Sequence, residues 1–116
     1  MRDVEAAMDA GDPQARLAFE LYCDSVRRTI GAYAAELSGL DTLVFTGGIG
    51  EKSARVRACV CRGLTFLGVY LDDRANEALR GEGVISTPES PALVRVVAAD
   101  EECMVARRAL SLMNKQ

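Results

Sequence analysis

The stretch Leu43-Val44-Phe45-Thr46-Gly47-Gly48-Ile49-Gly50-Glu51-Lys52-Ser53 constrains this chain more than any other. A short apolar run ends in three glycines within four positions, and a helix-starting sequence follows. Buried strand, glycine turn and helix N-terminus, in that order, is how α/β proteins hold phosphorylated ligands. Glycines tolerate the positive φ that aims successive N–H groups at an anion, and without a Cβ they let a ligand touch the backbone. Ser53 suits an N-cap, and Glu51 puts a carboxylate at the turn.

Two familiar phosphate motifs can be tested against these letters. A Walker A loop needs Gly-Lys-Ser/Thr in sequence, but Glu51 separates Gly50 from Lys52, so that motif is absent. A dinucleotide fingerprint would use Gly48 and Gly50, with Ser53 where a third small residue belongs and Asp72-Asp73 where a ribose-binding acid would sit. Gly68 interrupts the strand that should carry those acids. A tight strand-to-helix connection with no ligand is the remaining alternative.

The rest of the chain supplies an α/β frame for this turn. Arg2 to Ala10 reads as a short helix that Gly11 breaks, with Ala6, Ala7 and Met8 on its apolar side. Asp12-Pro13 then starts a long one, an acid at the N-cap and proline at the first helical position. Leu17, Leu21, Val26, Ile30, Tyr33 and Leu37 form its apolar stripe, expected to pack on a sheet, and Gly39 stands where the helix should end. Asp41 to Thr46 is the first strand, buried on both faces. A helix from Ala54 to Arg62 follows, with Arg55 and Arg57 read as surface residues. Leu67–Leu71 is expected as a strand, Asp73–Leu79 as a helix and Val84 to Ser86 as an edge strand stopped by Pro88. Leu93 to Ala99 is the second strong strand, and a last helix runs from Asp100 to Leu112. With 116 residues, 49% hydrophobic and 27% charged, the chain suits one domain over residues 1–116.

Composition also excludes functions. A net charge of −3 offers no basic surface for nucleic acid or an anionic membrane. No apolar run approaches the ~20 residues of a membrane span, and the acidic first helix is no signal peptide. A cytoplasmic protein is expected. Cys59-Val60-Cys61 has the wrong spacing for a zinc knuckle and the chain has no histidine. The cysteines therefore read as small apolar residues in a reducing compartment.

Wording now adds to pattern. Phe45-Thr46-Gly47-Gly48-Ile49-Gly50-Glu51, with Ser53 and Val56-Arg57, resembles the adenosine-binding segment of the acetate kinase family. The resemblance continues through Leu67-Gly68-Val69, Asp72-Asp73, Asn76 and Ile85-Ser86-Thr87-Pro88 to Ala99-Asp100-Glu101-Glu102 and Ala106-Arg107, and reaches back to Arg2-Asp3. Lys52 and Asp100 stand where that family usually has asparagine. Family members are several hundred residues long, so the likeness is to a C-terminal portion. It implies a partial actin-like, ribonuclease-H-like α/β domain of the acetate and sugar kinase superfamily, a mixed sheet flanked by helices.

The resemblance also implies chemistry. Arg2, Gly48, Ile49, Gly50, Glu51 and Lys52 would line the adenine-nucleotide side of a cleft. Asp100-Glu101-Glu102 reads by itself as helix capping, but Glu101 matches the family's magnesium-binding glutamate. The parent enzyme would transfer a phosphoryl group between ATP and acetate, giving ADP and acetyl phosphate, with Mg²⁺, and would pair as a homodimer. Such transfer needs cationic groups and a second phosphate loop, which in the family lie upstream, so no catalytic residue is assigned here and this portion by itself would be inactive. The alternatives are a propionate or butyrate kinase portion and a non-catalytic nucleotide-binding or dimerisation module.

Overall fold

The computed structural model describes residues 1–98 in full and the backbone of 103–106. Helix α1 (Arg2–Asp9) turns at Gly11, where φ is +92°, into α2 (Pro13–Leu37). The Asp12 carboxylate caps α2 by accepting from the N–H groups of Gln14 (2.9 Å) and Ala15 (3.4 Å), as its sequence position implies. At the far end Ser38 takes the left-handed conformation at φ +60°, and Gly39 follows it as part of the exit. Strand β1 (Thr42–Thr46) runs straight into α3 (Gly47–Lys52), and α4 (Ala54–Arg62) follows after a single extended residue. A 3₁₀ turn (Thr65–Leu67), α5 (Asp73–Ala78), β2 (Gly83–Val84), β3 (Leu93–Val96) and β4 (Cys103–Ala106) complete the order.

The sheet is mixed, in the order β2-β3-β1-β4. β1 pairs parallel with β3 and antiparallel with β4, while β2 lies antiparallel on the other side of β3. Register sets Leu43 beside Val94 and Phe45 beside Val96, and all four are fully buried. The opposite face differs from expectation. Thr42 and Val44 are only half-buried, and Leu93 and Arg95 are exposed, so among the described residues one face of the sheet carries the core.

Three further expectations are corrected. On α2 the inward stripe is Ala15, Phe19, Cys23, Val26, Ile30 and Ala34, whereas Leu17, Leu21 and Tyr33 are exposed. Small residues at 15, 23 and 34 let the helix lie close to its neighbours, which outweighs the size of the leucines. Leu67–Leu71 is not a strand, because Gly68 at φ +84° breaks the extended run; one bridge, Leu71 to Ser86, survives. The last helix, expected over 100–112, does not cover 103–106. That apolar run takes the open hydrogen-bonding edge of β1 instead, and the remainder of the expected helix lies outside the described residues.

Candidate functional site

The site is built where β1 ends. Gly47 adopts φ +83°, which lets the chain pass from strand to helix with no intervening loop. A residue with a Cβ would strain that conformation, and this is the physical content of the first glycine. The expected glycine turn is thus a short helix, α3, carrying Gly48, Ile49, Gly50, Glu51 and Lys52. Ser53 closes α3 in extended conformation and opens α4, its Oγ accepting from Val56 N–H at 3.1 Å. The same Oγ donates to Glu5 Oε2 on α1 at 2.7 Å. Arg55 adds a bond to Asp9 at 2.8 Å and a longer contact to Glu5 at 3.9 Å. These links bring the first turn of α1 against the glycine segment, although almost fifty residues separate them in sequence.

The result is an open groove of about 600 Å³ lined by Met1, Arg2, Glu5, Gly48, Ile49, Lys52 and Ser53. Four residues singled out in the sequence meet here: Arg2, Gly48, Ile49 and Lys52. A Cβ at Gly48 would meet nothing within 4 Å, so the groove floor there is bare backbone. Arg2 and Lys52 bring two cations, while Glu5, the one carboxylate, already bonds to Ser53. An anion with a flat or apolar part against Ile49 suits this lining. Gly50 is placed otherwise. It is buried, and a Cβ there would sit 3.4 Å from the Phe45 backbone, so it packs α3 onto β1 instead of facing the groove. Glu51 is half-buried and its carbonyl accepts from Arg57 at 2.8 Å. Glu101 lies outside the described residues.

A sequence model of the acetokinase family matches residues 1–107. The chain belongs to the acetokinase family. Acetate kinase from Bacteroides fragilis is 47% identical over 115 residues, covering 99% of this chain and 29% of the relative. The crystal structure of Porphyromonas gingivalis acetate kinase superposes with a TM-score of 0.81 at 42% identity, over 97% of this chain and 28% of that one. A propionate kinase from Francisella tularensis gives a TM-score of 0.77 at 35% identity, over 87% and 26%. This acetokinase chain therefore spans less than a third of the length of the relatives it matches.

One central residue of this acetokinase segment was misread from the sequence. Arg57, expected on the surface, is only 2% exposed. Its guanidinium donates to the carbonyls of Gly50 (3.0 Å) and Glu51 (2.8 Å), to Asn76 Oδ1 (2.7 Å) and to the Asn76 carbonyl (3.1 Å). Asn76, itself buried, returns a bond to the Ala54 carbonyl at 2.9 Å. Arg57 thus stands at the C-terminal, electronegative end of α3 and ties it to α5. Burial pulls its pKa below the ordinary arginine value. Spacing offered one signal, since position 57 falls between the inward-facing Val56 and Val60. Thr46 presents a contrasting case: its Oγ1 is buried with no hydrogen-bond partner among the described residues, one residue before the elbow. Among the described residues no three acidic or thiol side chains gather as a metal cage, and no helix is long and apolar enough to cross a membrane.

Proposed function

We propose that this single-domain chain is the C-terminal, nucleotide-side portion of an acetate kinase, whose parent enzyme reversibly transfers the γ-phosphoryl group of ATP to acetate. The observation that carries this reading is the convergence of Arg2 and Lys52 on the bare backbone of Gly48 and the side chain of Ile49, within one groove. In this reading Ile49 and the Gly48 backbone contact the adenosine, and the two cations attract the phosphates. Gly50 and Glu51 serve the same site from beneath, holding α3 against β1 and Arg57. The magnesium ligand is Glu101; a Mg²⁺ ion uses one or two carboxylates beside water and phosphate oxygens, so a lone protein carboxylate fits its habits where a cage would not be needed. When bound, the ion offsets phosphate charge. The remaining cationic and acyl-binding groups belong to the rest of the parent, which works in the cytoplasm as a homodimer. Because the Francisella propionate kinase is also similar, a longer acyl acceptor is the second reading, and comparing acetate with propionate in the full-length enzyme separates the two.

Titration calorimetry with ATP tests the groove. Wild-type affinity near millimolar is expected, about 4 kcal/mol, since half the phosphate contacts are elsewhere. Gly48→Val, which fills open space on the groove floor, and Lys52→Glu should each remove the signal. Glu77→Ala, on α5, should leave it intact. If both groove variants bind ATP like wild type, with unchanged circular dichroism, the groove is not the nucleotide site.

A further inference from the structure

Helices α2 and α4 lie side by side in a register fixed at two points. Arg55 sits over the Phe19 ring, 6.0 Å from its centre. Two turns further along, a Cβ at Gly63 would lie 2.5 Å from Arg27 Cδ. Both contacts pair residue n of α2 with residue n plus about 36, so the two helices run parallel with i, i+4 rows facing each other. The pair between these two points is Cys23 and Cys59. The same offset sets their side chains against each other across the interface, and Arg27 donates to the Cys59 carbonyl at 2.6 Å with its Nη1 3.9 Å from Cys59 Sγ.

The two sulfurs differ in access. Cys23 is fully buried, whereas Cys59 is half-buried and lines two surface cavities of about 330 and 550 Å³. Burial and the neighbouring thiol push the Cys23 pKa up to about 12, so Cys23 keeps its proton at neutral pH. Cys61, two residues on, points away into the core beside Arg57 and has no such partner sulfur among the described residues.

We propose that Cys23 and Cys59 form a peroxide-driven disulfide site that locks α2 to α4. The Cys59 thiolate attacks hydrogen peroxide, breaking the O–O bond to give a sulfenic acid and hydroxide. The Arg27 guanidinium beside the sulfur stabilises the negative charge as it passes to the departing oxygen. The Cys23 thiol then attacks the Cys59 sulfur, the S–S bond forms, and the sulfenic oxygen leaves as water with the Cys23 proton. Two thiols are oxidised, one peroxide is reduced to water, and a reducing thiol reverses the bond.

The test treats the 116-residue chain with hydrogen peroxide, blocks free thiols, and maps tryptic peptides without reduction. A cross-link between peptides 17–27 and 58–62 is expected in wild type and in Cys61→Ala, lost in Cys59→Ala and reversed by dithiothreitol. Cys23→Ala should instead leave a Cys59 sulfenic acid that dimedone captures. Persistence of the cross-link in Cys59→Ala, a bond only between different molecules, or unreacted Cys23 and Cys59 in folded wild type would each overturn the site.

Discussion

Arg57 and Gly47 hold α3 from opposite ends, one by hydrogen bonds and the other by backbone conformation. Arg57→Ala would orphan the carbonyls of Gly50 and Asn76 in buried surroundings. Hydrogen bonds to a charged group are worth about 1.5–3 kcal/mol each, so a loss of at least 3 kcal/mol in urea denaturation is expected. Arg57→Lys should recover little, because one ammonium cannot reach the Gly50 and Glu51 carbonyls and Asn76 together. Adjacent glycines should respond with opposite signs. Gly47→Ala places a side chain at φ +83° and should cost about 1–2 kcal/mol. Gly48→Ala meets open space inside a helix and should gain up to about 1 kcal/mol. Equal effects from the two substitutions would contradict the elbow geometry. Cys61 gives a pH signature: burial raises its thiol from 9.0 to about 12. Above pH 9 the unfolded chain then releases a proton that the folded chain retains, so stability is full below pH 9 and falls as pH rises toward 12. The melting temperature of Cys61→Ala should fall less steeply over that range, and parallel curves would argue against the assignment.

The elements differ in how readily the sequence announced them. β1 and the start of α4 were legible because their signals are local: an apolar run stopped by Gly47, and a serine whose oxygen reaches Val56 N–H three residues on. The cap at Asp12 was legible for the same reason. The inward face of α2 was not. Leu17 and Leu21, two of its large apolar residues, are exposed, and the face is chosen by how closely Ala15 and Cys23 let neighbours approach, a property of the partner and not of the helix. Leu67–Leu71 has strand composition, yet a single left-handed Gly68 decides its path. The candidate groove followed the same division. Gly48, Ile49 and Lys52, which line it, come from one short segment singled out in the sequence, whereas Arg57 and Gly50 act through contacts to Asn76 and Phe45 that only folding creates.

At the scale of the whole molecule, the chain spans less than a third of the length of its relatives, and alone it should be catalytically silent. Trapping acyl phosphate as hydroxamate, with ATP, Mg²⁺ and acetate, should give background only; turnover by the 116 residues would show that the catalytic groups are present here after all. Leu17 and Leu21 on α2, with Leu93 and Val84 on the sheet, are exposed apolar surface, and such surface favours association. Sedimentation at tens of micromolar should show species larger than a monomer, while a clean monomer would mean that these patches are too dispersed to pair.

The strand order also governs how the chain is made. β1 lies between β3 and β4, and both of its partners come later in sequence, β3 by about fifty residues. At about 5–20 residues per second of translation, β1 emerges from the ribosome with both hydrogen-bonding edges vacant for several seconds. During that interval Leu43, Val44 and Phe45 form a bare β-prone segment, the kind of edge that recruits strands from other nascent chains. The same centrality that sets the glycine elbow firmly in the finished protein therefore makes its strand the one most in need of a chaperone during synthesis.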